Sequence, residues 1–244
     1  MFLPIGDDNS ARGSAPHLVL GLIAVNAVIW FVQLALGEPF TNGWATVPHE
    51  IVNSTDLIGT KRLVIDGQSF PLRHYDGPSP IHLTLLSSMF MHGGWMHIIG
   101  NMLYLWIFGD QIEDLLGRGR FLLFYLLCGL AASAAQILYS PSSIVPCLGA
   151  SGAIAGVLGA YLVKFPRNRV RVLMGGRVGA VPAMLVLGFW IVIQIFSQVG
   201  TPAGQATGVA YMAHIGGFVA GVVLVFVFGA GRAPRPASAR SRYA

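Results

Sequence analysis

Charge is scarce in this sequence: Asp, Glu, Lys and Arg make up 10% of its 244 residues, while hydrophobic residues make up 54%. A soluble domain carries roughly 25% charged residues, so this composition excludes an ordinary water-soluble globule and implies a polytopic membrane protein. Cysteine is almost missing. Cys128 and Cys147 have neither metal-type nor redox spacing, which excludes a disulfide framework. No His-Glu-x-x-His stretch occurs. His92, His97 and His214 could meet, but no carboxylate or thiolate joins them, so neither a metal nor another cofactor is expected. The formal charge of +5 does not require nucleic acid, and no nucleic-acid partner is expected, because its distribution fits membrane topology better.

Long apolar stretches are what the chain does have. Residues 1–16 are polar and read as a short, loosely ordered cytoplasmic tail. Leu18 to Leu36 is long enough to span and has no basic region before it, so it reads as a retained helix and not a cleaved signal. Residues 37–80, with Glu38, Glu50, Asp56, Lys61, Arg62, Asp66, Arg73 and Asp76, are too polar to cross a bilayer and too long for a bare turn. They are expected to form a long, structured first extramembrane loop. Further helices are expected over about Trp95–Ile112, Phe121–Tyr139, Ser151–Phe165, Val181–Ser197 and Val209–Phe228, and the Arg/Ala/Pro/Ser-rich 229–244 reads as a disordered basic cytoplasmic tail. The expected fold is therefore an all-α polytopic bundle of six transmembrane helices over residues 17–228.

Charge then orients the bundle. With six spans, Arg12, Arg118, Arg120, Lys164, Arg167, Arg169, Arg171, Arg177, Arg232, Arg235, Arg240 and Arg242 share one side, and only Lys61, Arg62 and Arg73 fall on the other. Both termini are expected in the cytoplasm. The run from Ser151 has about 15 residues, roughly 22 Å against a hydrocarbon core of about 30 Å, so its N-terminal end is expected inside the bilayer, open to the extracytoplasmic side.

Few polar side chains remain at membrane depth, and each needs a partner or a water-filled cavity. His97 and Asn101, four residues apart, share one helix face, with His92 just before that helix. Gly152, Gly156 and Gly159 form one small-residue stripe headed by Ser151, within Gly149-Ala150-Ser151-Gly152. Gly217 and Gly221 continue another from His214. Two such stripes admit close helix packing, which would set His214 beside Ser151 as base and nucleophile. Taken alone, Ser151 reads as a packing serine and His214 as an interhelical hydrogen bond, and the matched glycine stripes set a nucleophile and base beside that reading without displacing it. No carboxylate stands near His214 in the sequence, so the pair is expected to be a dyad. Asn101 and His97 could complete an oxyanion site. Asn26, Gln33 and Gln194 are expected to bond between helices.

These residues resemble a known family. His92-Gly93-Gly94-Trp95-Met96-His97-Ile98-Ile99-Gly100-Asn101, Gly149-Ala150-Ser151-Gly152 and Ala213-His214-Ile215-Gly216-Gly217 with Gly221 resemble the three signature stretches of the rhomboid intramembrane serine proteases. The resemblance covers roughly residues 17–228 and points to the plain six-helix, prokaryotic-type form. It implies Ser151 as nucleophile, His214 as general base, His97 and Asn101 in the oxyanion hole and His92 near it. It also implies a membrane-embedded 37–80 loop, a fifth helix acting as a lateral gate, single-spanning membrane proteins as substrates, and the bacterial cell (inner) membrane as location. A non-catalytic rhomboid-like protein that binds membrane helices is the alternative. One position departs from the pattern: some members place an aromatic residue four after the serine, packed on the histidine, and here that position is Ala155.

Overall fold

The computed structural model describes residues 2–10, 12–65, 67–200 and 209–229. All of the expected 229–244 tail except its first residue lies outside the described residues. The chain order is β1 (Phe2–Asp7), α1 (His17–Gly43), α2 (Pro48–Asn53), β2 (Gly59–Ile65), β3 (Gln68–His74), α3 (Thr84–Ser87) between two 3-10 turns, α4 (Trp95–Leu116), α5 (Arg118–Tyr139), α6 (Ser151–Lys164), β4 (Arg169–Met174), β5 (Arg177–Pro182), α7 (Ala183–Val199) and α8 (Tyr211–Phe228). The protein is thus mostly helical. Among the described residues three helices, α1, α5 and α8, are long and apolar enough to cross a membrane. The helices start and stop close to the expected runs, because uninterrupted apolar stretches bounded by Gly and Pro leave few other ways to satisfy the backbone. In α1 the helical dihedrals break at Gly37 (φ 73°), two residues before Pro39, close to the expected end at Leu36.

The all-α expectation needs amending, because two small sheets accompany the helices. β2 and β3 form an antiparallel hairpin within the 37–80 segment. β4 and β5 form another, turned by Gly175 and Gly176, both at positive φ as a two-residue hairpin turn prefers. The basic stretch between α6 and α7 is this second hairpin. Its free edge, β4, takes β1 antiparallel, giving the order β1-β4-β5. Residues 2–7 are therefore a strand and not a loosely ordered tail. Local composition hid this, since Pro4 and Gly6 argue against a strand and the partner lies more than 160 residues away.

The residues after β1 are also held. The carboxylate of Asp7 accepts hydrogen bonds from the Tyr161 hydroxyl (2.5 Å) and from Gln111 Nε2 (2.9 Å). Burial among these groups pushes the Asp7 carboxyl above its ordinary value. At the end of α4, Asp110 pairs with Arg12 at 2.7 Å. Asp114 accepts from the Gly13 N–H and the Ser14 hydroxyl. Glu113 accepts the Leu18 and Val19 N–H groups at 3.0 and 2.8 Å, capping the open N-terminus of α1 from a neighbouring helix.

The core is built around α6, in which every residue from Gly152 to Tyr161 is buried. It packs against α4, α5 and α8. Its glycines are where the backbones meet. A Cβ on Gly156 would lie 2.5 Å from Cys128 Sγ on α5 and 3.1 Å from the Gly217 carbonyl oxygen on α8. A Cβ on Gly217 or Gly221 would run into the backbone of Gly152 or Gly156. On the α6 side, a Cβ on Gly159 would meet the backbone of Phe218. The two stripes therefore face each other at backbone contact, the arrangement small residues permit in helix pairs.

Candidate active site

Ser151 is the first residue of α6, and Gly149 before it has φ 133°. That conformation turns the chain from the preceding segment into the helix. It also brings the backbone so near His97 that a Cβ on Gly149 would sit 2.8 Å from the His97 Nε2 and Cε1 atoms. The Gly149 N–H is tied to the Ser88 carbonyl at 2.8 Å. The first-turn N–H groups of α6 have no acceptor one turn earlier, and the positive end of the helix dipole lies beside them.

The close packing of α6 on α8 places His214 across from this turn. His214 Nε2 and Ser151 Oγ are 2.9 Å apart. The other ring nitrogen, Nδ1, lies 2.7 Å from Oε1 of Gln194 on α7. The Trp190 ring, one turn earlier on α7, lies 5.8 Å from the imidazole centroid at an interplanar angle of 39°. The seating left unexplained by Ala155 is therefore supplied from α7, by an amide and an indole. From the sequence, Gln194 carries no more than a generic interhelical bond. Its visible signal was a lone amide in an otherwise apolar run.

On α4, the His97 Nδ1 accepts the Gly93 N–H at 3.3 Å, which leaves the neutral ring's proton on Nε2, the nitrogen facing Gly149. Asn101 is buried, and its side-chain Nδ2 has no hydrogen-bond partner among the described residues. A cavity of about 690 Å³ brings these groups together: Ser151, His214, His97 and Asn101 all line it, with Tyr104, Ile154, Ala155, Leu158 and Trp190 among its walls. His92 does not line it. Its ring packs edge-on behind His97 at 5.1 Å, and its backbone N–H and C=O are both held by the Gln33 amide on α1, at 2.9 and 3.0 Å. Gln33, expected to bond between helices, thus ties α1 to the segment that precedes α4. Asn26 instead donates to the Leu22 carbonyl of its own helix. Gly152, Gly156, Gly159, Gly217 and Gly221 all lie in the α6–α8 contact and its immediate surroundings.

In chemical terms the site holds a hydroxyl paired with an imidazole, a buried amide donor without a partner, and an imidazole N–H. It opens on a cavity with mainly apolar walls, a set suited to acyl transfer. Comparison with known proteins agrees with the motifs. The Rhomboid domain family matches residues 82–231, more than half of the chain. The chain belongs to the rhomboid family. Among related proteins, this rhomboid is 35% identical over 138 residues to Rhomboid protease GluP of Bacillus subtilis, a match covering 56% of this chain and 24% of that protein. It is 31% identical over 152 residues to Rhomboid protein 1, mitochondrial, of Saccharomyces cerevisiae, covering 58% and 40% of the two chains. With RHOMBOID-like protein 1 of Arabidopsis thaliana the identity is 33% over 144 residues, covering 59% and 34%. The matches span between 24% and 40% of the length of these three relatives. A rhomboid with three helices of spanning length and hydropathy is an integral, multi-pass membrane protein.

Proposed function

We propose that this rhomboid is an intramembrane serine endopeptidase working through a Ser151–His214 dyad. The observation that carries the reading is the 2.9 Å approach of Ser151 Oγ to His214 Nε2 at the wall of a large cavity. In the proposed reaction Ser151 Oγ attacks the scissile carbonyl while His214 Nε2 takes its proton. The imidazolium returns that proton to the leaving amine, releasing one fragment, and a water activated by the same nitrogen then hydrolyses the acyl-enzyme. His97 Nε2–H, the unpartnered Asn101 amide and the N–H groups at the head of α6 are donors for the tetrahedral oxyanion. His92 supports His97 from behind.

The same reading takes residues 17–228 as a catalytic domain of six membrane spans, α1, α4, α5, α6, α7 and α8, with 37–80 as the long first loop. It takes 1–16 and 229–244 as cytoplasmic flanking segments. α6, at 14 residues roughly 21 Å long, is too short to cross a core of about 30 Å, which fits a serine below the extracytoplasmic surface. The proposed substrates are single-spanning membrane proteins cut near that face, in a bacterial cell membrane. Their helices must unwind at the cut, because an intact helix keeps its carbonyls hydrogen-bonded. α7 turns Phe189, Phe196 and Val199 outward, an apolar face suited to lipid or to an approaching helix.

The test is to purify the protein in detergent, add a helical membrane reporter, and measure cleavage together with labelling by a fluorophosphonate. Wild type is expected to cleave and label, while Ser151→Ala and His214→Ala lose activity by on the order of 10³-fold or more. Cleavage that persists unchanged in Ser151→Ala refutes the dyad. Helix binding without turnover in either protein would support the non-catalytic alternative.

A further inference from the structure

An imidazole that takes a proton through Nε2 must carry its own proton on Nδ1. In this site the choice is made by a neighbour. His214 Nδ1 lies 2.7 Å from Gln194 Oε1, and a carbonyl oxygen can only accept, so this contact exists only when Nδ1 is protonated. The Nε2 lone pair is then left facing the Ser151 hydroxyl at 2.9 Å. Were the amide turned over, its NH₂ would donate to Nδ1, the proton would move to Nε2, and the ring could no longer accept from Ser151. The orientation of one amide therefore selects the productive tautomer.

The surroundings confine that side chain. Gln194 is 8% exposed, while its chain neighbours Ile193 and Ile195 are 42% and 45% exposed, so it is the inward-facing residue of its turn. Trp190, one turn earlier, lies over the imidazole and restricts its rotation. A neutral amide also suits the place, since an ionised carboxylate there would carry a desolvation cost of several kcal/mol.

Resting on the peptidase reading above, we propose that Gln194 is a positioning residue that fixes the tautomer and rotation of His214 and makes the dyad a Ser–His–Gln relay in geometry, with no charge at its third member.

The test compares Gln194→Met, which keeps the volume and removes the acceptor, with Gln194→Glu, which keeps an acceptor. Each purified variant is assayed for kcat and KM on a helical reporter, for fluorophosphonate labelling rate and for Tm. The positioning role predicts that Gln194→Met keeps its KM and Tm but loses kcat and labelling rate by on the order of 10- to 100-fold. Gln194→Glu, entering this buried place as the neutral acid whose carbonyl oxygen still accepts from Nδ1–H, is expected to retain most of both rates. A Gln194→Met enzyme as fast as wild type, or Met and Glu variants equally impaired with a raised KM, overturns the proposal in favour of packing alone. A second readout needs no activity: the ¹⁵N shifts of His214, assigned by difference from His214→Ala. They are expected to show the Nδ1–H tautomer in wild type and a mixture in Gln194→Met. An Nε2–H tautomer in wild type overturns the proposal even if the protein cleaves. If the protein neither cleaves nor labels but Nδ1–H is present, the peptidase reading fails and the positioning stands.

Discussion

Replacing Gly221 by alanine tests the link from helix packing to chemistry. A Cβ on Gly221 would run into the carbonyl group of Gly156 and stand 2.5 Å even from its Cα, whereas ordinary contact begins at 3.4 Å, so the backbones must part by well over about 0.9 Å. α6 has little room to retreat, because it is buried from Gly152 to Tyr161 and packs against α4 and α5 as well as α8. The displacement falls on α8, whose His214 lies two turns from Gly221. Moving it by about 1 Å stretches the 2.9 Å contact with Ser151 beyond hydrogen-bond length. Misplacement on that scale costs roughly 10²-fold in rate, and overpacking costs about 1–3 kcal/mol in stability. Gly21→Ala is the control: it lies in α1, a Cβ there meets nothing within 4 Å, and replacing a helical glycine gains about 0.5–1 kcal/mol. Reporter cleavage, fluorophosphonate labelling and Tm in detergent are measured for both. A Gly221→Ala protein with wild-type rate and Tm would refute the claim that backbone contact between α6 and α8 sets the distance between serine and histidine.

Other perturbations reach different parts of the molecule. Asn101→Ala removes a buried donor without a partner, so folding is expected to survive while kcat falls by on the order of 10²- to 10³-fold; an unchanged kcat would remove Asn101 from the oxyanion site. Glu113→Ala deletes both bonds capping α1 and is expected to lose about 2–3 kcal/mol, read as a lower Tm; an unchanged Tm would mean that water caps the helix equally well. Glu50, in α2, accepts the Leu57 N–H, and burial pushes its carboxyl from 4.5 up to about 7, with Asp56 adding to the rise. The folded state therefore binds the Glu50 proton more tightly than the unfolded chain, and the stability this confers below about pH 4.5 is lost as pH rises through 7. Wild-type Tm is expected to fall between pH 5 and 8, and Glu50→Gln to flatten that slope by about 1–3 kcal/mol; an equal slope in both proteins would refute the assignment.

Membrane residence and the positions of the long helices were legible in the sequence. Both follow from local quantities, namely the scarcity of charge and the length of each apolar run. The approach of Ser151 to His214 was suggested there by small residues repeating on one face of each helix together with the family motifs, and the fold shows the 2.9 Å contact. Only the tertiary structure decided which residues hold the N-terminal segment. β1 needs β4 as partner, and Asp7, Arg12 and Ser14 find theirs on α4 and α6, separations that no local pattern encodes. The seating of His214 was also decided there. Ala155 removed the neighbour that motif comparison supplies, and whether Gln194 and Trp190 reach the ring depends on how α7 crosses α8. Crossing geometry is fixed by side-chain packing between helices, and the period of either helix alone does not contain it.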